Sequence, residues 1–166
     1  VVVANSAARL LIIGQTPGTR VHETGIPWND KSGDRLREWL DIGKPTFYDS
    51  EKVAIMPMGF CYPGVQTTGG DAPPRADCAP LWHKRLRAHL PNVALTLLVG
   101  MYAQAYYLGK TRKKTLTATV AAWRDHGPSV MPLPHPSWRS SNLLKKNPWF
   151  ETNLLPDLRA RVRNLI

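Results

Sequence analysis

The sequence predicts an α/β fold, a three-layer α/β/α sandwich around a central four-stranded parallel sheet. Three observations lead there. Four short apolar runs are bounded by turn signals, segments of helical period lie between them, and the least ordinary residues gather just after the runs end. Short, uniformly apolar runs suit strands buried on both faces, and their alternation with helices implies βαβ units with helices on either side of the sheet.

The first run is Arg9 to Gly14 (RLLIIG). Ser32 then caps a helix on which Leu36, Trp39 and Leu40 share one face at i, i+3, i+4 spacing. Lys52 to Pro57 (KVAIMP) is the second strand, and the Gly-, Pro- and Thr-rich stretch from Met58 to Ala76 reads as a long surface loop. Asp77 caps the next helix, with Trp82, Leu86 and Leu90 inward and Lys84, Arg85 and Arg87 outward. Ala94 to Gly100 (ALTLLVG) is the third strand, and Met101 to Leu108 continues from it as a helix. Gly109 to Thr115 (GKTRKKT) reads as a solvated basic turn, Thr115 to Arg124 as a helix, and Ser129 to Leu133 as the fourth strand. Asn147-Pro148 opens the last helix, where proline suits the first position; Pro156 kinks or divides it before Leu158, Val162 and Leu165 resume the apolar face.

A chain of 166 residues suits one domain spanning residues 1–166, and 43% hydrophobic residues suffice for its core. Lys and Arg number 22 against 12 Asp and Glu, for a net charge of +10, which favours a polyanionic partner, nucleic acid ahead of an anionic membrane. No run approaches the ~18 apolar residues of a membrane span. Val1-Val2-Val3-Ala4 lacks the marks of a signal peptide, and the missing initiator Met fits a processed or trimmed chain. Two cysteines, Cys61 and Cys78, make no disulfide framework and read as reduced thiols in a cytoplasmic protein. His22, His83, His89 and His126 lack metal-ligand spacing and read as surface or structural residues.

In open α/β sheets ligands bind beyond the carboxyl ends of the strands, where the unusual residues fall. Gly14-Gln15-Thr16-Pro17-Gly18 makes a rigid turn that lets a ligand approach the backbone, with amides able to meet a carbonyl oxygen or a phosphate. It lacks the spacing of a Walker loop or a dinucleotide fingerprint. Pro134-His135-Pro136-Ser137 holds a histidine between two prolines after the fourth strand. Such a histidine can donate a hydrogen bond to an oxygen that gains charge as a bond breaks.

These two loops resemble the paired motifs of the uracil-DNA glycosylase superfamily, one opening Gly-Gln or Gly-Glu and the other reading His-Pro-Ser. From Gly14 to Gly33 the chain is similar, without a gap, to the iron–sulphur branch. There Gly-Glu-Ala-Pro-Gly is followed by Thr-Gly-x-Pro-Phe and then by a small residue and Gly; here these are Thr24-Gly25-Ile26-Pro27-Trp28 and Ser32-Gly33. The strands and Asn147-Pro148-Trp149-Phe150 extend the likeness over nearly the whole chain. The resemblance implies that Gln15 and the amides around Gly14, Thr16, Pro17 and Gly18 contact the base and orient water. It implies too that Trp28 stacks on the flipped base in place of Phe, that His135 stabilises the departing anion through its O2, and that Ser137 holds a phosphate. Arg139 stands where relatives place a leucine wedge, with Trp138 as the rival wedge.

Three positions depart from the pattern. Thr16 replaces the Asp that handles water in the fastest relatives and cannot ionise; Asp30 is the nearby carboxylate that takes this role, or caps the following helix, with Glu23 the other one near. Pro57 replaces an Asn whose amide pairs with uracil, leaving recognition to backbone groups, Gln15, Asn29 or Asn142. Cys61 and Cys78 match two of four cluster ligands, and two thiolates cannot supply four-cysteine ligation, so no metal or cofactor is expected. The expected function is removal of uracil from single- or double-stranded DNA by a monomer that flips the nucleotide and hydrolyses its N-glycosidic bond. The alternatives are a glycosylase for another deaminated or damaged base and a catalytically silent lesion-binding module; charge and the candidate wedge argue against hydrolysis of free nucleosides.

Overall fold

In a computed structural model describing residues 1–166, the four apolar runs form one parallel sheet. Its strands are β1 (Leu10–Ile13), β2 (Val53–Ile55), β3 (Leu95–Val99) and β4 (Val130–Leu133), in the order β2-β1-β3-β4. Each is a residue or two shorter at its ends than the apolar run that predicts it. Because side chains alternate across a strand, β1 divides its residues between two cores. Leu10 and Ile12 pack with Leu36, Trp39, Leu40, Phe150 and Leu158 on one face; Leu11 and Ile13 pack with Met58, Ala79 and Ala103 on the other. Those two cores, each roofed by helices, are the predicted three layers.

The helices are α1 (Thr19–Thr24), α2 (Lys31–Leu40), α3 (Lys44–Phe47), α4 (Cys78–Ala88), α5 (Met101–Leu108), α6 (Leu116–Ala121), α7 (Ser141–Lys146) and α8 (Leu155–Arg163). The short helices α1, α3 and α7 fall where no helix is predicted, each too brief to show a period. Asp30, not Ser32, caps α2, accepting a hydrogen bond from Gly33 N at 2.8 Å. Helix α4 is rotated from the expected phase. Ala79 and His83 face inward, Trp82 is exposed beneath the Arg85 guanidinium, and Arg87 reaches in to donate to Thr96 Oγ1 at 2.9 Å. Leu90 is buried, but beyond the end of α4. Asp77 makes no cap hydrogen bond and pairs with Arg75 instead. Pro156 sits in the first turn of α8, directly after the π-helical turn Phe150–Leu154, so of the two expectations it divides the last helix and does not kink α8.

From β1 the chain crosses to β2 on one side, then returns past β1 to β3 on the other. The loops after β1 and β3 therefore part at a topological switch point, which opens a crevice at the carboxyl edge. Gln104, buried on α5, donates to Leu133 O at 2.8 Å, and Gly100 N donates to the same oxygen at 2.9 Å. These bonds fix the end of β4 and aim the following histidine segment at the crevice.

A candidate active site at the switch point

Five of the segments that line a cavity of about 650 Å³ at that edge carry its chemistry, and its volume is within the range of small-molecule sites. The first is the loop after β1, in which Gly14, Gln15, Thr16, Pro17 and Gly18 all line the cavity. It is stitched to the loop after β2, since Met58 N donates to Gly14 O at 2.9 Å and Gly59 N to Gln15 O at 3.0 Å. Pro57 contributes the adjacent wall. Its carbonyl accepts a hydrogen bond from Nε2 of the buried His83 at 3.0 Å, and Nδ1 of that ring lies 2.7 Å from the Tyr107 hydroxyl. A carbonyl can only accept, so Nε2 carries the proton and Nδ1 accepts from Tyr107. Burial raises the Tyr107 phenol well above its ordinary range, which keeps it a donor.

Trp28 and Asp30 come from the third segment. Trp28 holds a left-handed backbone at φ 56°, which is costly for a bulky residue. Arg37, 5% exposed, supports it by donating to Trp28 O at 3.2 Å while pairing with Asp34 at 2.6 Å. Helix α2 also starts directly under the Trp28 backbone at Gly33. The indole is thereby laid over Gly14, where a Cβ would come within 2.7 Å of it.

The fourth segment carries His135, Ser137, Trp138 and Arg139. Ser140 Oγ donates to His135 O at 2.6 Å, and Arg35 reaches Ser137 O at 3.0 Å. The His135 ring lies 5.8 Å from Trp28, centroid to centroid, tilted by 33°. Trp138 stands at the rim, 76% exposed, with the Arg139 guanidinium 5.7 Å from its ring. The fifth segment brings Asp71, from the long loop after β2, to the same cavity. The motif residues Gly14 to Gly18, Trp28, Asp30, Pro57, His135 and Ser137 to Arg139 therefore border one cavity, whereas Glu23, Asn29 and Asn142, the other candidates for handling water or reading the base, do not line it.

Burial lowers the pKa of His135 below 6.5, while the charges of Asp30 and Asp71 push it back up. The ring is neutral at neutral pH and able to donate one hydrogen bond without carrying charge. Burial also lowers His83. The unfolded chain takes up protons at these positions before the folded protein does. Their contribution to stability is present in full above 6.5 and is lost as the pH falls from there through the depressed folded values. Tm, followed by thermal unfolding, is expected to decline over that window; a Tm that stayed flat would contradict the burial of the two rings.

Thr16 Oγ1 is buried without a hydrogen-bond partner. Leaving a hydroxyl so placed costs about 1–3 kcal/mol, which a ligand or water oxygen meeting it would recover. No group of three or more His, Cys, Asp or Glu side chains is placed to hold a metal ion, and Cys61 and Cys78 are free thiols. The residues present do not fit a four-thiolate cluster.

Sequence reasoning missed Asp71, His83, Arg35 and Arg37 as parts of the site. Arg37 had a signal, a cation on the inward side of an amphipathic helix, whereas Asp71 had none beyond its place in a turn-rich loop.

A family model described as the uracil DNA glycosylase superfamily matches residues 2–159. Among solved structures, the chain is similar to a candidate uracil DNA glycosylase from Methanosarcina acetivorans determined by solution NMR. The TM-score is 0.52 at 16% sequence identity, over 97% of this chain and 95% of that one.

Proposed function

The chain belongs to the uracil-DNA glycosylase superfamily, and we propose that it removes uracil from DNA, acting as a monomer in the cytoplasm at the opening step of base-excision repair. The observation that carries this reading is the convergence of the Gln15 loop, Trp28 and His135 on one cavity. That cavity accepts a planar base only after the nucleotide has rotated out of the helix, at a cost of a few kcal/mol. Stacking on Trp28 returns about 1–3 kcal/mol of that cost. Arg139 and Trp138 at the rim take the role of the wedge, and Ser137 that of a phosphate contact. The charge of +10 draws the polyanion in.

Cleavage of the bond between C1′ and N1 leaves its electron pair on the base and positive character on the sugar. The pair delocalises to O2, where neutral His135 donates a hydrogen bond that strengthens as charge develops. Water adds to C1′, and Gln15 with the loop amides orients it.

Asp30 serves here as a fixed negative charge near the cationic sugar. Its side chain caps α2, and its charge acts on His135. Asn caps a helix as well as Asp does, so Asp30→Asn removes the charge and keeps the fold. Single-turnover cleavage is expected to slow much more than DNA binding weakens, and an unchanged rate would remove Asp30 from the mechanism.

A second reading, a glycosylase for another damaged base, draws on Pro57. It has no side-chain amide to offer uracil, and its carbonyl is already engaged by His83. Oligonucleotides carrying one uracil, hypoxanthine, xanthine or mismatched thymine, single- and double-stranded and assayed for abasic sites, separate the readings. Abasic sites from uracil support the first. Cleavage confined to another base supports the second, and binding without cleavage would leave a lesion-binding module.

A further inference from the structure

We propose that Asp71 is the catalytic carboxylate that accepts the proton of the attacking water. The assignment rests on the glycosylase reading above and fills the role that Thr16 cannot take. Asp30, the carboxylate nearest the motifs in sequence, has one oxygen held by the Gly33 amide at 2.8 Å. Asp71 reaches the same cavity from a loop some forty residues further along the chain and takes part in none of the protein's ion pairs.

The loop that presents it is built to hold one shape. Val65 and Asp71 form an antiparallel bridge, Gln66 N donates to Gly70 O at 2.9 Å, and Ala72 N donates to Gly64 O at 2.9 Å. Gly69 and Gly70 turn the chain at φ 83° and 90°, where other residues would be strained. Gly70 also lets the Arg139 guanidinium lie against its backbone, since a Cβ there would come within 2.8 Å of Nη1. The hairpin is in this way pressed against the segment that carries His135. Asp71 Oδ2 lies at the end of the Gly14–Gly18 turn, 3.8 Å from where a Cβ on Gly18 would stand, and Asp71 lines the same cavity as Gln15 and His135. His135 feels its charge as well as that of Asp30.

This places a free carboxylate against the turn expected to orient water. As the oxygen of water bonds to C1′ and the bond to N1 breaks, the electron pair leaves with the base and one water proton passes to Asp71. Asp71 then returns that proton to solvent through the open side of the cavity. No other reactant is required.

Two measurements test the assignment on the full chain: single-turnover cleavage of a uracil-containing oligonucleotide, and equilibrium binding of the same sequence carrying 2′-fluorodeoxyuridine, whose glycosidic bond resists cleavage. Asp71→Asn is expected to slow cleavage roughly 100-fold or more with the affinity for the fluorinated oligonucleotide unchanged. Asp71→Glu, which keeps the carboxylate at a displaced position, is expected to recover part of the rate. A rate unchanged in Asp71→Asn, or a fall matched by an equal loss of affinity, would overturn the role. A wild-type protein that cleaves none of the damaged bases ends the glycosylase reading itself and takes this assignment with it; a wild-type protein that cleaves uracil while Asp71→Asn does so equally well ends this assignment alone.

Discussion

Replacing His135 by alanine is expected to slow single-turnover cleavage of uracil-containing DNA by roughly 100- to 1000-fold, about 3–4 kcal/mol of transition-state stabilisation. The size follows from where the charge goes. In the ground state uracil O2 is a neutral carbonyl and gains little from a donor beyond what water offers. In the transition state it carries the electron pair released by the sugar, in a cavity where screening is weak. A donor fixed before the reaction serves the second state far more than the first, so the loss falls on the rate and not on binding. His135 is fixed in this sense. Its carbonyl is tied to Ser140, the backbone of β4 before it to Gln104, and its ring is flanked by Trp28. Burial favours the neutral ring, which still carries one N–H to donate. His135→Gln, with a neutral donor of different reach, is expected to retain more activity than His135→Ala. An alanine variant as fast as wild type would show that the charge on the leaving base is met elsewhere.

The strands and the position of the site were legible because both rest on local chemistry. Leu10 to Ile13 is apolar on both faces and Leu95 to Val99 is so but for Thr96, as strands buried inside a layered α/β fold need to be. Gly14, Gln15 and His135 follow strand ends, and parallel topology sends all such ends to one edge. What escaped depends on packing at a distance. The sequence pattern puts Trp82 inward with Leu86 and Leu90, but His83 has two partners waiting in Pro57 and Tyr107, and their pull sets the rotation of α4. Asp71 lies in a stretch whose sequence signals only turns, and its direction is set by Arg139 and the Gly69-Gly70 reversal. The sequence leaves Asp30 open between helix cap and site residue; in the structure it caps α2 and also borders the cavity.

Gly33→Ala is expected to damage both stability and activity, although alanine is the better helix former by about 1 kcal/mol. Gly33 lies in the first turn of α2 and shows no left-handed φ, so conformational freedom is not what selects it. Space does. A Cβ on Gly33 would fall 1.7 Å from Trp28 O and 2.6 Å from its carbonyl carbon. The same addition at Gly14 would meet an indole edge at 2.7 Å, which a side-chain rotation relieves. At Gly33 the obstacle is backbone, whose carbonyl is also held by Arg37, one turn further along α2. Relief must move the start of α2, the left-handed turn at Trp28, or both. Overpacking of this kind costs about 3 kcal/mol at the upper end of its usual range, and the propensity gain offsets only part of it. Thermal unfolding should show Tm lowered by roughly 4–8 °C. Cleavage measured well below that Tm should still be impaired, because the ring proposed to stack on the base has shifted. A Gly33→Ala protein with wild-type Tm and wild-type rate would mean that Trp28 is not seated on α2. In that case the small residue and glycine that follow the Thr24–Trp28 segment would have no structural reason to be there.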